Sequence, residues 1–219
     1  DLNLWWADYS AQSPPVEAAE RGALIEKWLG AEAASIVSAG RFSERDAGHI
    51  RDARMYHDIA TSLSAVRPDR RELAAAAFAL VMRQISLASS SASQVPLGSF
   101  EVLMVGRGSV DDRIWVFAEI LRQLGIDCVV LEPKTPPVGG GAAPKLVAAI
   151  LPKDGVLLFD PRLGLAIPPT SDVKGALPSG VVTLQEAREN DAIFRQFDVP
   201  GGSAYPWTSA LLADAHVQF

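Results

Sequence analysis

Side chains that could carry acid–base chemistry gather at one glycine turn in the second half of the chain. Ser109 follows Gly108, and two consecutive carboxylates, Asp111 and Asp112, begin the apolar stretch after it. Two carboxylates act as general acid and general base when their surroundings separate their pKa values. Consecutive helix residues do not face each other, however, and a serine with an acid three residues later is typical of a helix N-cap. The pattern therefore predicts the start of a helix, with acid–base catalysis as the alternative.

Nucleophiles and metal ligands are sparse elsewhere in the chain. The single cysteine, Cys128, has the apolar neighbours Val129 and Val130, which indicate a buried strand and an unreactive thiol. His49 and His57 share one predicted helix and are therefore about 12 Å apart. Two side chains at that separation cannot bind one zinc ion, because Zn–N bonds are about 2 Å long. We expect no metal site and no cofactor.

The first 88 residues are predicted to be helical. Apolar residues recur at helical spacing, and Ser43 with Asp46 three residues later resembles a capping box. The predicted helices cover residues 16–29, 31–39, 43–67 and 69–87. A connector of small and polar residues follows at 88–99. We therefore divide the chain into an N-terminal helical region, residues 1–88, and a core, residues 89–219.

The core mixes helices with strands. A helix is predicted at residues 111–124 and another from Thr183 onwards. Strand-like stretches lie at residues 128–131, 146–151 and 156–159. Asp154-Gly155, between the last two of these stretches, is a hairpin signal. The sequence therefore predicts an α+β fold.

Apolar side chains surround almost the whole predicted helix at residues 111–124. They are Ile114, Trp115, Val116, Phe117, Ile120, Leu121 and Leu124. A helix that is apolar on all sides is normally buried in the middle of a fold. We expect this helix at the centre of the core, with a sheet on one side and helices on another.

Two segments resemble the transglutaminase-like superfamily. "GRGSVDDRIWVFAEILRQLGIDCVVL" is similar to the family's pattern of a glycine turn, a cysteine at the helix start, a buried helix ending in Leu-Gly-Ile, and a strand. "LLFDP", residues 157–161, resembles the later strand that carries the third member of a Cys-His-Asp triad. The resemblance spans residues 99–168. It implies a papain-like core in which a central buried helix packs against an antiparallel sheet.

The resemblance also implies that the family's chemistry is lost. The cysteine position falls on Val110, the histidine position on Pro144 or Lys145, and the aspartate position on Asp160. Acyl transfer by such a triad needs a thiolate and an imidazole base, with the aspartate to orient the base. Only the aspartate is present, so these are vestigial triad positions and we expect no transglutaminase-like or proteolytic activity.

Asp160 and a late aromatic segment each have two interpretations. A carboxylate before Pro161 can accept hydrogen bonds from the backbone of a turn, or it can form an ion pair with Arg113 or Arg162. Tyr205, Pro206 and Trp207 can cover the core, or they can form a surface that binds a peptide or another partner. The sequence leaves these alternatives open, although covering the core is the more frequent outcome for aromatic residues.

Composition limits the possible partners and compartments. The 219 residues carry a net charge of −6 and no basic stripe, which argues against binding to nucleic acid. No apolar run approaches the roughly 18 residues of a membrane span. We interpret the chain, which starts at Asp1, as a mature or trimmed piece of a longer polypeptide. A secreted or periplasmic location fits if a signal peptide was removed, but the compartment stays open.

The sequence thus favours a non-catalytic function. We expect a degenerate transglutaminase-like module that binds a polypeptide, or other domains of the same chain, or acts as a scaffold within a larger protein. The alternative is a hydrolase with a relocated active site that uses Asp111, Asp112 or Asp160. A relocated site requires a polar pocket of converging titratable groups at the head of the central helix, whereas a binding module requires a groove or an exposed apolar patch.

Overall fold

The computed structural model describes residues 2–12, 18–38, 41–67, 69–88, 97–134, 143–170 and 180–218. The chain forms two units, Asp1–Arg54 and Met55–Phe219. The division after residue 88 stays a prediction, since it rests on a change of secondary structure rather than on packing.

The helices and strands in the described residues follow the predicted change from helix to mixed structure. The helices are α1 (Leu2–Gln12), α2 (Ala18–Leu29), α3 (Ala31–Ser38), α4 (Glu44–Ser64), α5 (Arg70–Gln84), α6 (Ser99–Val105), α7 (Val110–Gln123), α8 (Leu184–Glu189), α9 (Ala192–Arg195) and α10 (Ser209–Ala213). The strands are β1 (Ser86–Leu87), β2 (Arg107–Gly108), β3 (Asp127–Pro133), β4 (Leu146–Leu151), β5 (Gly155–Asp160), β6 (Leu165–Ala166) and β7 (Ala215–Gln218).

The first unit is helical in its described residues. The capping box predicted before α4 is present, with the Ser43 amide donating to Asp46 Oδ2 at 2.7 Å and the Asp46 amide donating to Ser43 Oγ at 3.3 Å. On α1 the rings of Trp5 and Tyr9 stack with their centroids 5.3 Å apart. Both rings are exposed.

The second unit is built on a five-stranded antiparallel sheet with the order β6-β5-β4-β3-β7. Val147 on the middle strand pairs with Val130 on one side and Phe159 on the other. The predicted hairpin joins β4 to β5, and Gly155 takes a φ of +84° at its end. The α+β class and the antiparallel sheet are therefore confirmed.

Side chains from alternate positions of β4 and β5 enter two separate apolar clusters. Val147, Leu157 and Phe159 belong to one cluster with α5 and α7, and Leu146 and Leu158 belong to the other with α8 to α10. The alternation follows from the two-residue period of a strand. Both faces of the sheet are covered, which explains why these strands are apolar almost throughout.

Three phenylalanine rings hold α5, α7 and β5 together. The ring centroids of Phe78, Phe117 and Phe159 are 5.0 to 5.2 Å apart in all three pairs. Centroid separations of this size are favourable for tilted and edge-to-face rings and add to the gain from burial. The middle of α7 and the end of β5 are thereby fixed relative to each other.

The helix α7 lies in the apolar cluster with α5 and the sheet, but one of its apolar side chains faces solvent. Ile114, Phe117 and Leu121 are buried, but the Trp115 side chain is 58% exposed. Trp115 shares a helix face with Glu119 and Arg122, four and seven residues later, and this face meets solvent. The number of apolar residues around the helix did not reveal this exposed face, because the apolar Trp115 lies within a stripe of otherwise polar residues.

None of the helices in the described parts of the chain combines the length and the apolar character that a membrane crossing requires.

Candidate functional site

The head of α7 is closed by its own capping box. Ser109 Oγ accepts from the Asp112 amide at 3.1 Å, and Asp112 Oδ2 accepts from the Ser109 amide at 2.7 Å and from its hydroxyl at 2.8 Å. The predicted N-cap is therefore confirmed. Val110, the first residue of α7, packs partly buried against the apolar cluster beneath the helix. Its side chain contributes packing at the position that the resemblance gives to a cysteine.

Lys145 ties the head of α7 to the sheet. Its Nζ donates to Asp111 Oδ1 at 2.7 Å and lies 3.1 Å from Glu132 Oε1 on β3. Burial by itself would lower the pKa of Lys145, but the hydrogen bonds and charges of Asp111 and Glu132 outweigh it and raise that pKa. Lys145 therefore stays protonated at neutral pH and cannot replace a histidine as a general base.

Asp160, at the end of β5, is a buried hydrogen-bond acceptor. Its Oδ1 accepts from the backbone amides of Arg162 at 2.7 Å and Leu163 at 2.8 Å, and its Oδ2 accepts from the Tyr205 hydroxyl at 2.6 Å. Only 4% of Asp160 is exposed. These contacts confirm the interpretation of Asp160 as the acceptor that closes the turn after β5.

The alternative interpretation, an ion pair between Asp160 and Arg113 or Arg162, is wrong. The Arg113 guanidinium donates from Nε and Nη2 to the Ile85 carbonyl, at 2.9 and 2.6 Å, and from Nη1 to the Pro161 carbonyl at 2.9 Å. Arg162 contributes its backbone amide to Asp160 rather than its guanidinium. The buried carboxylate is satisfied by near neighbours and by one phenol, and Arg113 instead joins the end of α5 to the turn after β5.

A cleft of about 280 Å³, the Asp160 cleft, opens beside these contacts. It is lined by Pro144, Lys145, Asp160, Arg162, Leu163, Phe197, Val199, Ser203, Ala204, Tyr205 and Pro206. Most of its walls are apolar, and its charged groups are Lys145, Asp160 and Arg162. The structure thus brings together the expected histidine and aspartate positions, whereas Val110 is not part of the lining.

Arg195 and Asp198 hold the wall of the cleft that contains Tyr205. Arg195 Nη2 donates to the carbonyls of Tyr205, at 3.2 Å, and of Trp207. Asp198 Oδ1 accepts from the Tyr205 amide at 2.7 Å. Beyond Asp198 the chain turns sharply, with the Gly202 amide donating to the Val199 carbonyl at 2.8 Å. These contacts hold Val199 and Tyr205 at the cleft, although both residues lie outside the helices and strands.

The two interpretations of the late aromatic segment each hold for part of it. Trp207 is completely buried in the core, while Tyr205 and Pro206 line the Asp160 cleft. Sequence reasoning did not single out Phe197 or Val199, because an apolar residue in a short loop has no periodic neighbours to mark it. The turn residues Pro200 and Gly201 next to them were the only signal available.

The other candidate residues do not converge on this site. Cys128 is half-buried, and burial raises the pKa of its thiol, with smaller contributions from Asp127 and Glu119. His49, His57 and His216 are exposed. Over the described ranges, no group of three or more His, Cys, Asp and Glu side chains could hold a metal ion.

The positions that the resemblance gives to a nucleophile and a base, Val110 and Lys145, carry neither group. Val110 offers no nucleophile and Lys145 is engaged by two carboxylates. The Tyr205 hydroxyl cannot substitute for either, because burial and then the charge and hydrogen bond of Asp160 raise its pKa far above the usual value. No protein-family model, curated protein or solved structure matches this chain significantly.

Proposed function

We propose that the protein is a non-catalytic module with a degenerate transglutaminase-like core that binds polypeptide in the Asp160 cleft within a longer protein. The observation that carries the proposal is the cleft itself. Apolar walls with a few polar groups at fixed positions are typical of a ligand site. In this cleft the walls include Leu163, Phe197 and Val199.

The topology supports the transglutaminase-like part of the proposal. A buried helix, α7, packs on an antiparallel sheet, and its head is joined by Lys145 to the start of β4. Asp160 ends the next strand, β5, and lines the same cleft as Lys145. This is the order of elements that the resemblance implies, with side chains that pack and pair in place of side chains that react.

The hydrolase alternative has weaker support. Asp111 binds Lys145, Asp112 binds Ser109, and Asp160 binds the turn and Tyr205. A general acid and base pair requires two groups that face one reacting bond. The three carboxylates instead accept hydrogen bonds from separate donors, and no observation favours a catalytic role for any of them.

Selection of peptides against the purified protein tests the proposed function. We would pan a random heptapeptide library that displays both free and blocked carboxyl termini, and then titrate the ¹⁵N-labelled protein with the selected peptides. The expected result is that amide shifts concentrate at Leu163, Val199 and Tyr205. Peptides that bind only elsewhere, or hydrolysis of a quenched fluorogenic peptide by the purified protein, would overturn the proposal.

A pair of leucine variants provides the matched control. Leu163 lines the Asp160 cleft and Leu165 does not, and the two are exposed to a similar extent. A glutamate at position 163 puts a charge against the apolar ligand surface, whereas a glutamate at 165 meets solvent. Leu163→Glu should abolish binding of the selected peptides and Leu165→Glu should preserve it.

A further inference from the structure

The charges that line the Asp160 cleft are not equivalent. Asp160 accepts three hydrogen bonds and is almost completely buried. Lys145 is held by two carboxylates, Asp111 and Glu132. Among the described residues, the Arg162 guanidinium takes part in no hydrogen bond or ion pair, and Arg162 is exposed. The uncommitted charge that the cleft offers to a ligand is therefore positive.

The size of the cleft limits how much polypeptide it can hold. About 280 Å³ lies just below the range of roughly 300 to 1,000 Å³ that is usual for ligand pockets. A volume of this size takes one or two residues rather than a longer segment. The last residue of a chain fits a cleft of this size more easily than an internal segment does, because an internal segment must both enter and leave the cleft.

A free carboxyl terminus matches both the charge and the walls. A guanidinium binds a carboxylate through two parallel hydrogen bonds, and these charge-assisted bonds are roughly twice as strong as neutral ones. The last residue of a polypeptide carries its carboxylate and its side chain on the same Cα. An apolar last residue can therefore meet Arg162 and the wall formed by Leu163, Phe197 and Val199 at once.

We infer that the Asp160 cleft captures the C-terminal carboxylate of a polypeptide that ends in an apolar residue, with Arg162 as the partner of the carboxylate. This inference rests on the proposed peptide-binding function and narrows it to one end of the ligand. The same chemistry occurs in two other sources, namely an internal acidic side chain beside an apolar residue and a small branched carboxylic acid.

Titration with four defined probes tests the inference. The probes are acetyl-Gly-Ala-Leu with a free carboxylate, the same peptide as its amide, acetyl-Gly-Glu-Leu amide, and 4-methylpentanoate. We expect the free acid to bind at least about tenfold more tightly than either amide, since one charge-assisted contact is worth that much or more. We also expect it to bind more tightly than 4-methylpentanoate, which lacks the peptide backbone.

Two arginine variants locate the anchor. Arg162→Gln should weaken binding of the free acid by about tenfold or more and leave the affinity for the amide unchanged. Arg188→Gln removes the same charge from an exposed arginine that does not line the cleft, and should change neither affinity. Circular dichroism checks that both variants are folded. We expect that they are, because substitutions at exposed positions rarely change stability by much.

The outcomes separate the inference from the proposed function. Equal binding of acid and amide would overturn the inference while the peptide-binding function stands. Tighter binding of the internal glutamate peptide or of 4-methylpentanoate would overturn the polypeptide terminus as the ligand. An equal loss of binding in Arg162→Gln and Arg188→Gln would show that Arg162 is not the partner of the carboxylate. If the free acid fails to bind while peptides selected from the library bind in the cleft, only the inference falls.

Discussion

The Tyr205 hydroxyl donates to Oδ2 of Asp160 at 2.6 Å, across 45 residues of sequence. The two side chains join the end of β5 to the loop that forms the opposite wall of the Asp160 cleft. Both are buried, and burial followed by the negative charge of Asp160 raises the pKa of Tyr205 far above its usual value. The phenol of Tyr205 therefore remains protonated and donates its hydrogen bond at neutral pH. We call this pair, which joins β5 to the loop, the structural clasp.

Removal of the phenolic hydroxyl should destabilise the protein. In Tyr205→Phe the buried Oδ2 of Asp160 loses its donor, and an unsatisfied buried acceptor costs about 1–3 kcal/mol. We expect a loss of that size in the free energy of unfolding measured with urea. Tyr9→Phe, at an exposed tyrosine of the first unit, is the matched control and should change stability very little. Equal effects of the two variants would contradict the role of the clasp.

The stabilising contribution of Lys145 should depend on pH. Because its pKa in the folded protein is raised, the contribution is complete below the ordinary lysine pKa and is lost as pH rises through the folded value. Removing one partner of such a cluster should cost between about 1 kcal/mol, as for exposed pairs, and about 3 kcal/mol, as for buried ones. Urea unfolding of wild type and Lys145→Met at pH 7, 9 and 11 measures the difference.

Lys153→Met provides the baseline for that comparison, since Lys153 is exposed and makes no ion pair among the described residues. The wild-type advantage over Lys145→Met should hold at pH 7 and 9 and shrink at pH 11. An advantage that is constant up to pH 11 would show that the ammonium charge contributes nothing.

A cysteine and a histidine placed at the positions that the resemblance gives to the nucleophile and the base should not create hydrolytic activity. In Val110→Cys/Lys145→His the imidazole would still lack an orienting carboxylate, because both oxygens of Asp160 are occupied by the turn and by Tyr205. We expect no iodoacetamide-sensitive hydrolysis of a fluorogenic amide. Adding Tyr205→Phe to the double variant frees Oδ2 of Asp160. Comparing the hydrolysis rates of the triple and double variants therefore shows whether the lack of this oxygen limits activity. Thiol-dependent turnover by the double variant alone would show that Asp160 is available after all.

Two aromatic residues of α7 should differ sharply in their effect on stability. Phe117 packs in the buried cluster of three rings with Phe78 and Phe159. Phe117→Ala should therefore lower the free energy of unfolding by about 3–5 kcal/mol. Trp115 is mostly exposed, and Trp115→Ala should change stability by less than about 1 kcal/mol. Thermal unfolding of both variants measures this. A large loss in Trp115→Ala would mean that the outer face of α7 is covered.

Local patterns predicted part of the core closely, whereas the edge strands β6 and β7 and the helix α10 were not predicted. Caps and periodicity placed a helix at residues 111–124 and strands at 146–151 and 156–159, and the structure has Val110–Gln123, Leu146–Leu151 and Gly155–Asp160. The helix predicted to reach residue 87 ends at Gln84, since Ser86 and Leu87 pair with β2 instead. The short helix α6 was not predicted, because seven residues are too few to show helical periodicity.

The sequence by itself determined the caps, the hairpin, the apolar character of the strands and the absence of cysteine and histidine from the expected catalytic positions. These depend on residue type and on neighbours within a few positions. Only the tertiary structure decided that Lys145 joins Asp111 to Glu132, that Tyr205 binds Asp160, and that Trp115 faces solvent. Such pairings arise from chain segments that packing brings together over tens of residues, and no periodicity in the sequence records which segments will meet.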